Sequence, residues 1–348
     1  MPLEEPSWWY TAAGSDWRHR ALTPLAAVYG WTVIRRFATT EPYRSPIPVV
    51  CVGNFTAGGT GKTPLSLRLA DMVVHAGGRP AFLSRGYGGS SPGPLLVDPA
   101  VHTADVVGDE PLLLATTAAT IISRNRAAGA RALERTSPRP TVIIMDDGLQ
   151  NPQLAKTLVV AVVDGHRGLG NGGVIPAGPL RAPLAFQFDK TDAIVVNLGA
   201  SPETREPAAS SILASLRAQF SGPVLTAWAE PIIGRETLAG RRVVAYAGIG
   251  NPQRFFTLLE QNGVRLADTV AFKDHHRYQP ADAERLLALA ASCDAVLMTT
   301  AKDHARLLGQ TAELAKLRAE SAVLPIRLVL PPRDEARLAA LLQPLIAP

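Results

Sequence analysis

Cysteine is scarce in this chain: Cys51 and Cys293 are the only two, and each lies in an apolar, strand-like run. That count excludes a disulfide framework and a Cys-based zinc site, and both thiols are expected in the core. Charge is sparse too, at 19% of residues against 47% apolar, which excludes a disordered chain and leaves a globular one long enough for two domains. The positive excess is small, +5 from 35 Lys+Arg against 30 Asp+Glu. It suits anionic ligands such as nucleotides, phospholipids or a phosphorylated substrate. No basic patch interleaved with aromatics is present, so nucleic acid is not an expected partner. No apolar stretch reaches the roughly 20 residues of a spanning helix, and Met1-Pro2-Leu3-Glu4-Glu5 lacks the basic region and apolar core of a secretory signal. A cytoplasmic location is expected.

What is present is organised around residues 47–63, I-P-V-V-C-V-G-N-F-T-A-G-G-T-G-K-T. An apolar run rich in β-branched residues reads as a buried strand, and it empties into a loop with Gly53, Gly58, Gly59 and Gly61. Glycines let backbone N–H groups turn inward on an anion, and Lys62-Thr63 then open a helix whose N-terminus favours negative charge. The pattern is a variant phosphate loop, because Thr56 stands where the strict G-x-x-x-x-G-K-[ST] motif has its first glycine. Thr56, Ala57, Gly58, Gly59, Thr60, Gly61, Lys62 and Thr63 are the candidate nucleotide-binding residues. Lys62 is expected to reach the terminal phosphates and the Thr63 hydroxyl to hold Mg²⁺.

Residues 1–44 stand apart. Trp8, Trp9, Trp17 and Trp31 fall there with Tyr10 and Tyr29, and Arg18, Arg20, Arg35 and Arg36 flank an apolar stretch at 21–34. Two readings fit: an amphipathic helix at a membrane surface, or a helix docking its aromatic face on the protein's own core. From residue 47 on, apolar β-rich runs alternate with helical patterns. Strands are expected at 81–84, 120–123, 141–145, 158–163 and 193–197, and a second series at 243–247, 269–272, 295–299 and 326–330. The pattern predicts an α/β, phosphate-loop NTPase-like fold whose largely parallel sheet is covered by helices, with a second, smaller α/β lobe and a cleft between the two. The expected divisions are an N-terminal helix over 1–44, a nucleotide-binding lobe over 45–200, a connection over 201–240 and a C-terminal lobe over 241–348.

The strand at 141–145 ends in Asp146-Asp147-Gly148-Leu149-Gln150, and carboxylates delivered beside a phosphate loop complete a Mg²⁺ shell in P-loop enzymes. Thr63, Asp146 and Asp147 are therefore the candidate metal ligands. Asp109 and Glu110 open a short helix, where a carboxylate also serves as a cap. Asp274-His275-His276 follows a strand of the second series, where a hydrated loop and a metal site both remain open. The glycine- and proline-rich segment 164–181 reads as a long loop with a binding task.

These motifs, together with Ser84-Arg85-Gly86-Tyr87-Gly88, Pro176-Ala177-Gly178-Pro179-Leu180-Arg181 and Lys302-Asp303, occur in the order seen in the tetraacyldisaccharide 4′-kinase (lipid A 4′-kinase) family, which the chain resembles over nearly its whole length. The resemblance implies ATP- and Mg²⁺-dependent phosphorylation of the 4′-hydroxyl of a tetraacylated glucosamine disaccharide 1-phosphate, giving lipid IVA at the cytoplasmic face of a Gram-negative inner membrane. It places the hydroxyl-activating dyad on Asp109 and His275 and makes Arg85, Tyr87, Gln150, Asn171 and Arg181 the candidate substrate-binding residues. Leu149 stands where the family has an aromatic residue, and Ala182 and Ala301 stand where it has glutamates. The alternative is a membrane-associated P-loop ATPase acting as an assembly switch. Such proteins carry a lysine just before the Gly-Gly pair, where this chain has Ala57. A GTPase would need a base-recognition signal that Thr300-Ala301-Lys302-Asp303 does not match in spacing.

Overall fold

The computed structural model describes residues 5–11, 16–199, 207–232, 240–308 and 311–346. The strands are β1 (Val49–Asn54), β2 (Pro80–Ser84), β3 (Leu95–Leu96), β4 (Thr120–Ile122), β5 (Val142–Asp146), β6 (Leu158–Asp164), β7 (Ala193–Asn197), β8 (Val224–Pro231), β9 (Arg242–Ala247), β10 (Arg265–Ala271), β11 (Val296–Thr299), β12 (Ser321–Val323) and β13 (Ile326–Val329). Two compact units form. One comprises Met1–Arg85, Ser123–Ala229 and Leu328–Pro348, the other Gly86–Ile122 and Glu230–Arg327. Each unit is thus assembled from separated stretches, unlike the contiguous lobes expected from the sequence. The expected connection over 201–240 contains the helix Pro207–Gln219 and β8. Its parts at 200–206 and 233–239 lie outside the described residues.

In the first unit β8, β7, β6, β1, β5 and β2 lie side by side in that order, all parallel. Every residue of β1, β5, β6 and β7 is buried, as strands covered on both faces require, and this is why they read as unbroken apolar runs. The helix Lys62–His75 buries Leu65, Leu69, Ala70 and Val73, which helical spacing places on one face. The register Val52↔Asp146 brings the end of β1 level with the end of β5, so the phosphate loop and the paired aspartates leave the sheet together.

The run at 326–330, expected in the second series, is β13, which flanks β8 at the sheet edge of the first unit. Asp334, just beyond it, accepts from the backbone N–H and the hydroxyl of Thr226 at 2.9 Å each. Arg68 pairs with Glu335 and fastens the final helix, Pro332–Ile346, to Lys62–His75. The second unit carries a parallel four-stranded sheet in the order β10-β9-β11-β12, and an antiparallel β3–β4 pair. Tyr246, Leu286, Leu297, Leu314 and Leu317 fill its core beneath the helices Pro280–Ser292 and Ala312–Glu320.

The N-terminal helix runs from Trp17 to Thr39 and is capped by the Asp16 side chain, which accepts from the Arg18 N–H. Ala26, Gly30 and Val33 form its buried stripe, and a Cβ on Gly30 would come within 3.1 Å of Pro183. The aromatic side is not the docked side: Trp17 is 74% exposed, Val28 60%, Leu25 59% and Trp31 56%. The two readings left open for residues 1–44 divide between the tryptophans, Trp8 and Trp9 being docked while Trp17 and Trp31 face outward. Trp8 and Trp9 are both buried, and Trp9 Nε1 donates to the Pro176 carbonyl at 3.2 Å.

Gly53, at the mouth of β1, has no room for a side chain, because an added Cβ would collide with the Leu149 side chain and lie 3.2 Å from its backbone N. Gly53→Ala should lower stability by about 1–3 kcal/mol, the usual cost of overpacking. Denaturant unfolding at an unchanged midpoint would show that the strand mouth is looser than this geometry.

Candidate active site

The candidate residues fall into two groups, one in each unit. In the first, β1 ends at Asn54 and the chain loops over to Gly61, whose φ of 100° caps the helix beginning at Lys62. The loop is pinned from both sides. Ala57 N–H donates to the Pro179 carbonyl at 2.8 Å, and Asn197 Nδ2 donates to the Thr60 carbonyl at 3.0 Å. Gly58 has a φ of 89°, a conformation that favours glycine, and the Glu5 carboxylate, which Arg167 and Tyr10 hold at 3.0 and 2.5 Å, lies against it. Gly59 opens onto free space. Among the described residues the buried Thr60 Oγ1 has no hydrogen-bond partner, nor has the buried Asn54 Oδ1, so the loop keeps polar atoms to spare for a ligand.

Asp146 is the last residue of β5 and is 1% exposed; its Oδ1 accepts from Ser66 Oγ at 2.7 Å. Asp147, at φ 52°, turns out of the strand and meets Arg181 at 2.8 Å and Lys62 at 3.7 Å. Burial works to raise its carboxyl, but Lys62 and Arg181 override it and hold it at about 2. Thr63, Asp146 and Asp147 supply only hard oxygen donors, a set that fits Mg²⁺ and not a soft metal. Elsewhere among the described residues, no group of three or more His, Cys, Asp or Glu side chains is placed to hold a metal ion.

Two of the expected substrate contacts turn inward. Gln150 Nε2 donates to the Asn54 carbonyl and to Gln187 Oε1, both at 2.8 Å. Asn171 is buried, donating to the Ala177 carbonyl at 3.0 Å and accepting from the Gly173 N–H at 3.0 Å. Both amides are engaged within the fold, that of the buried Asn171 because a polar group removed from water must be satisfied locally. Arg85, at the end of β2, is exposed, and Arg181 is committed to Asp147. Leu149 and Ala182 are packed side chains, 2% and 0% exposed.

In the second unit, Asp109 opens the helix Asp109–Ala115 and is 4% exposed. Arg306 Nε donates to Asp109 Oδ2 at 3.0 Å, Arg306 Nη2 bonds the same oxygen, and His275 Nδ1 stands 3.5 Å from it. Arg306 Nη1 reaches the Gly248 carbonyl at 2.5 Å and Asp303 Oδ1 at 2.7 Å. Asp303, fully buried, also accepts from Tyr278 Oη and the Gly248 N–H at 3.0 Å each. A second pair runs alongside, Lys302 Nζ to Glu110 Oε1 at 2.5 Å. Tyr87 is exposed and meets the His275 ring edge-on, with centroids 5.4 Å apart. His276 is not part of this cluster; it bonds Asp282 at 2.9 Å and stacks on Phe272.

Burial alone would push the Asp109 carboxyl up. The His275 hydrogen bond and the charges of Arg306 and Lys302 outweigh it and hold the group well below the carboxylate range. His275 moves the other way, raised chiefly by its hydrogen bond to Asp109 against the opposing effect of burial. Removing one partner from such a buried pair typically costs about 3–5 kcal/mol. The resemblance paired Asp109 with His275, which the fold brings within 3.5 Å; it carried Asp303 only as part of a motif and did not include Arg306. The available signal was spacing: Lys302 and Arg306 are four apart on a helix and so share a face, opposite two adjacent acids.

A model of the family described as tetraacyldisaccharide-1-P 4′-kinase matches residues 18–346. The tetraacyldisaccharide 4′-kinase of Methylobacterium nodulans is 45% identical over 97% of this chain and 96% of its own. That of Methylorubrum extorquens strain PA1 is 49% identical over 83% of this chain and 85% of its own. The crystal structure of the "apo" form of LpxK from Aquifex aeolicus in complex with ATP matches with a TM-score of 0.72 and 25% identity, covering 94% of this chain and 99% of that one.

The raised histidine has a consequence for stability. The stabilisation that His275 draws from Asp109 is fully present below the ordinary histidine value of 6.5 and is lost as pH rises through the higher native value. The thermal midpoint of the wild type over that of His275→Gln should therefore be larger at about pH 6 than at about pH 9. An equal difference at both would contradict a charged His275–Asp109 contact.

Proposed function

Because the chain belongs to the tetraacyldisaccharide-1-P 4′-kinase family, we propose that it transfers the γ-phosphoryl group of ATP to the 4′-hydroxyl of a tetraacylated glucosamine disaccharide 1-phosphate, yielding lipid IVA. The observation that carries this reading is the shared exit of β1 and β5, which delivers Lys62 and the Asp146-Asp147 pair to one end of the sheet. Phosphoryl transfer leaves little covalent work for a protein; it needs charge neutralisation, alignment and a proton acceptor. Lys62 and the backbone N–H groups of residues 58–63 bind the triphosphate. Thr63, Asp146 and Asp147 would hold Mg²⁺, which when bound supplies positive charge to the phosphoryl oxygens.

The second unit provides the proton acceptor. Asp109, kept ionised, takes the proton of the sugar hydroxyl as the oxygen attacks phosphorus, and His275 stabilises the pair. Tyr87 and Arg85 are assigned to the sugar headgroup. The nucleotide belongs to the first unit and the hydroxyl-activating dyad to the second. The exposed face of the helix Trp17–Thr39 meets the cytoplasmic surface of the inner membrane: Trp17, Leu25, Val28 and Trp31 enter the headgroup boundary, and the exposed Arg18, Arg20, Arg35 and Arg36 meet anionic lipid. No helix among the described residues is long and apolar enough to cross a membrane, so contact at the surface is the mode this helix allows.

Incubation of purified protein with γ-labelled ATP, Mg²⁺ and the tetraacyl disaccharide 1-phosphate in detergent should place label in the lipid. Label in free phosphate alone would overturn the kinase reading. Lys62→Ala and Asp146→Ala should each abolish transfer in a folded protein, and near-normal turnover by either at saturating ATP would remove the phosphate-loop assignment. Trp17→Gln, Leu25→Gln and Trp31→Gln together should release the protein from anionic vesicles and raise the apparent KM for bilayer-presented lipid, with nucleotide binding retained. Unchanged co-sedimentation would refute the membrane role of this face.

A further inference from the structure

We infer that Arg306 is a positioning residue for the phosphoryl-transfer reaction: it clamps one oxygen of Asp109, Oδ2, and so dedicates the other, Oδ1, to the acceptor hydroxyl. The inference rests on the assignment of Asp109 as the proton acceptor. A free carboxylate has two equivalent oxygens and rotates between them. Here the two are made different. Arg306 Nε and Nη2 and His275 Nδ1 all converge on Oδ2, whereas Oδ1 accepts a hydrogen bond from none of the described residues.

The clamp is itself fixed, which separates it from a surface ion pair. Arg306 is 8% exposed, and its remaining nitrogen, Nη1, is spent on the Gly248 carbonyl at 2.5 Å and Asp303 Oδ1 at 2.7 Å. Asp303 is in turn held by Tyr278 Oη, the Gly248 N–H and Thr300 Oγ1, the last at 2.6 Å. The Gly248 carbonyl also accepts the His275 backbone N–H at 3.1 Å. One peptide therefore anchors both the histidine and the arginine, and the arginine anchors the base. A guanidinium suits this task because its donors lie in one rigid plane, and a lysine in its place could supply the charge without the fork.

Charge and geometry have separable consequences. The charged and titratable groups around Asp109 are Arg306 and Lys302 on the helix Ala301–Arg306, His275 with Asp274 behind it, Asp303 and Tyr278 beyond the guanidinium, and Glu110 paired with Lys302. Taking away the Arg306 cation leaves burial less opposed, so Asp109 would bind a proton at higher pH. Keeping a cation but losing the fork leaves the carboxylate ionised and free to swing.

The test is a pH profile of kcat for wild type, Arg306→Gln, Arg306→Lys and Asp109→Asn, with thermal midpoints and ATP KM measured alongside. Arg306→Gln should lower kcat near neutrality by roughly 10²-fold, the scale of a displaced catalytic group, with KM for ATP unchanged. Its acid limb should move to higher pH by at least about one unit. Arg306→Lys should return the limb to the wild-type position while recovering only part of kcat. If Arg306→Gln does not fold, Arg306→Lys carries the test alone: a lowered kcat with an unmoved limb supports the clamp, and a wild-type kcat overturns it. A loss by Arg306→Gln that is uniform across pH also overturns it, because that is what a merely structural residue would produce. If Asp109→Asn turns over normally, the assignment of the base has failed; if it is inactive while Arg306→Gln is normal, only the clamp has failed.

Discussion

A carboxylate withdrawn from water must find cations or give up its charge, and the second unit is arranged around satisfying that constraint for Asp109. Burial of an isolated carboxylate costs on the order of several kcal/mol even after relaxation. Arg306 and His275 offset that cost directly, and Lys302 contributes through its charge. Each of these needs its own support, and the support determines local structure. Asp303 holds Arg306, Thr300 caps the helix that carries both Lys302 and Arg306, and the positive φ of His275, 55°, brings its ring to Asp109 while its N–H reaches Gly248. Residues far apart in the chain thus behave as one unit because one buried charge requires all of them.

The first unit shows the opposite arrangement, leaving Thr60 Oγ1 and Asn54 Oδ1 of its loop without a hydrogen-bond partner among the described residues. A fully buried parallel strand makes the base of the loop rigid, and Gly61 takes a backbone conformation closed to other residues at the first turn of the helix. Lys62 and Arg181 meanwhile face Asp147, and their charges keep its carboxylate ionised. In the proposed reaction a terminal phosphate offers Lys62 a second acceptor. Partial exposure of Asp147 keeps that exchange inexpensive.

Much of this was legible in the sequence, and the parts that were share a cause. Strands such as β1, β5, β6 and β7 are buried on both faces, so they are unbroken apolar runs, and the phosphate loop and Asp146-Asp147 sit directly at their ends. Local pattern and function coincide there. What was not legible concerns long-range facts. The run at 326–330 has the pattern of any strand, and nothing local shows that it edges β8. Trp8 and Trp9 have the composition of an interfacial segment, but Trp9 finds the Pro176 carbonyl 167 residues away. Gln150 and Asn171 stand among binding motifs and spend their amides on the fold. Arg306 is separated from Asp109 by 197 positions, and only the folded unit makes the two neighbours.

In the proposed reaction nucleotide binding and acceptance of the hydroxyl proton fall to different residues, with Asp109 serving only the second. Nucleotide titration of Asp109→Asn, followed by single-turnover transfer from the same preparation, tests it most directly. The expected result is an ATP Kd within about twofold of wild type together with a transfer rate lower by roughly 10²- to 10⁴-fold, the range for a general acid–base group. A variant that binds ATP as poorly as Lys62→Ala, or that transfers at the wild-type rate, would contradict the claim.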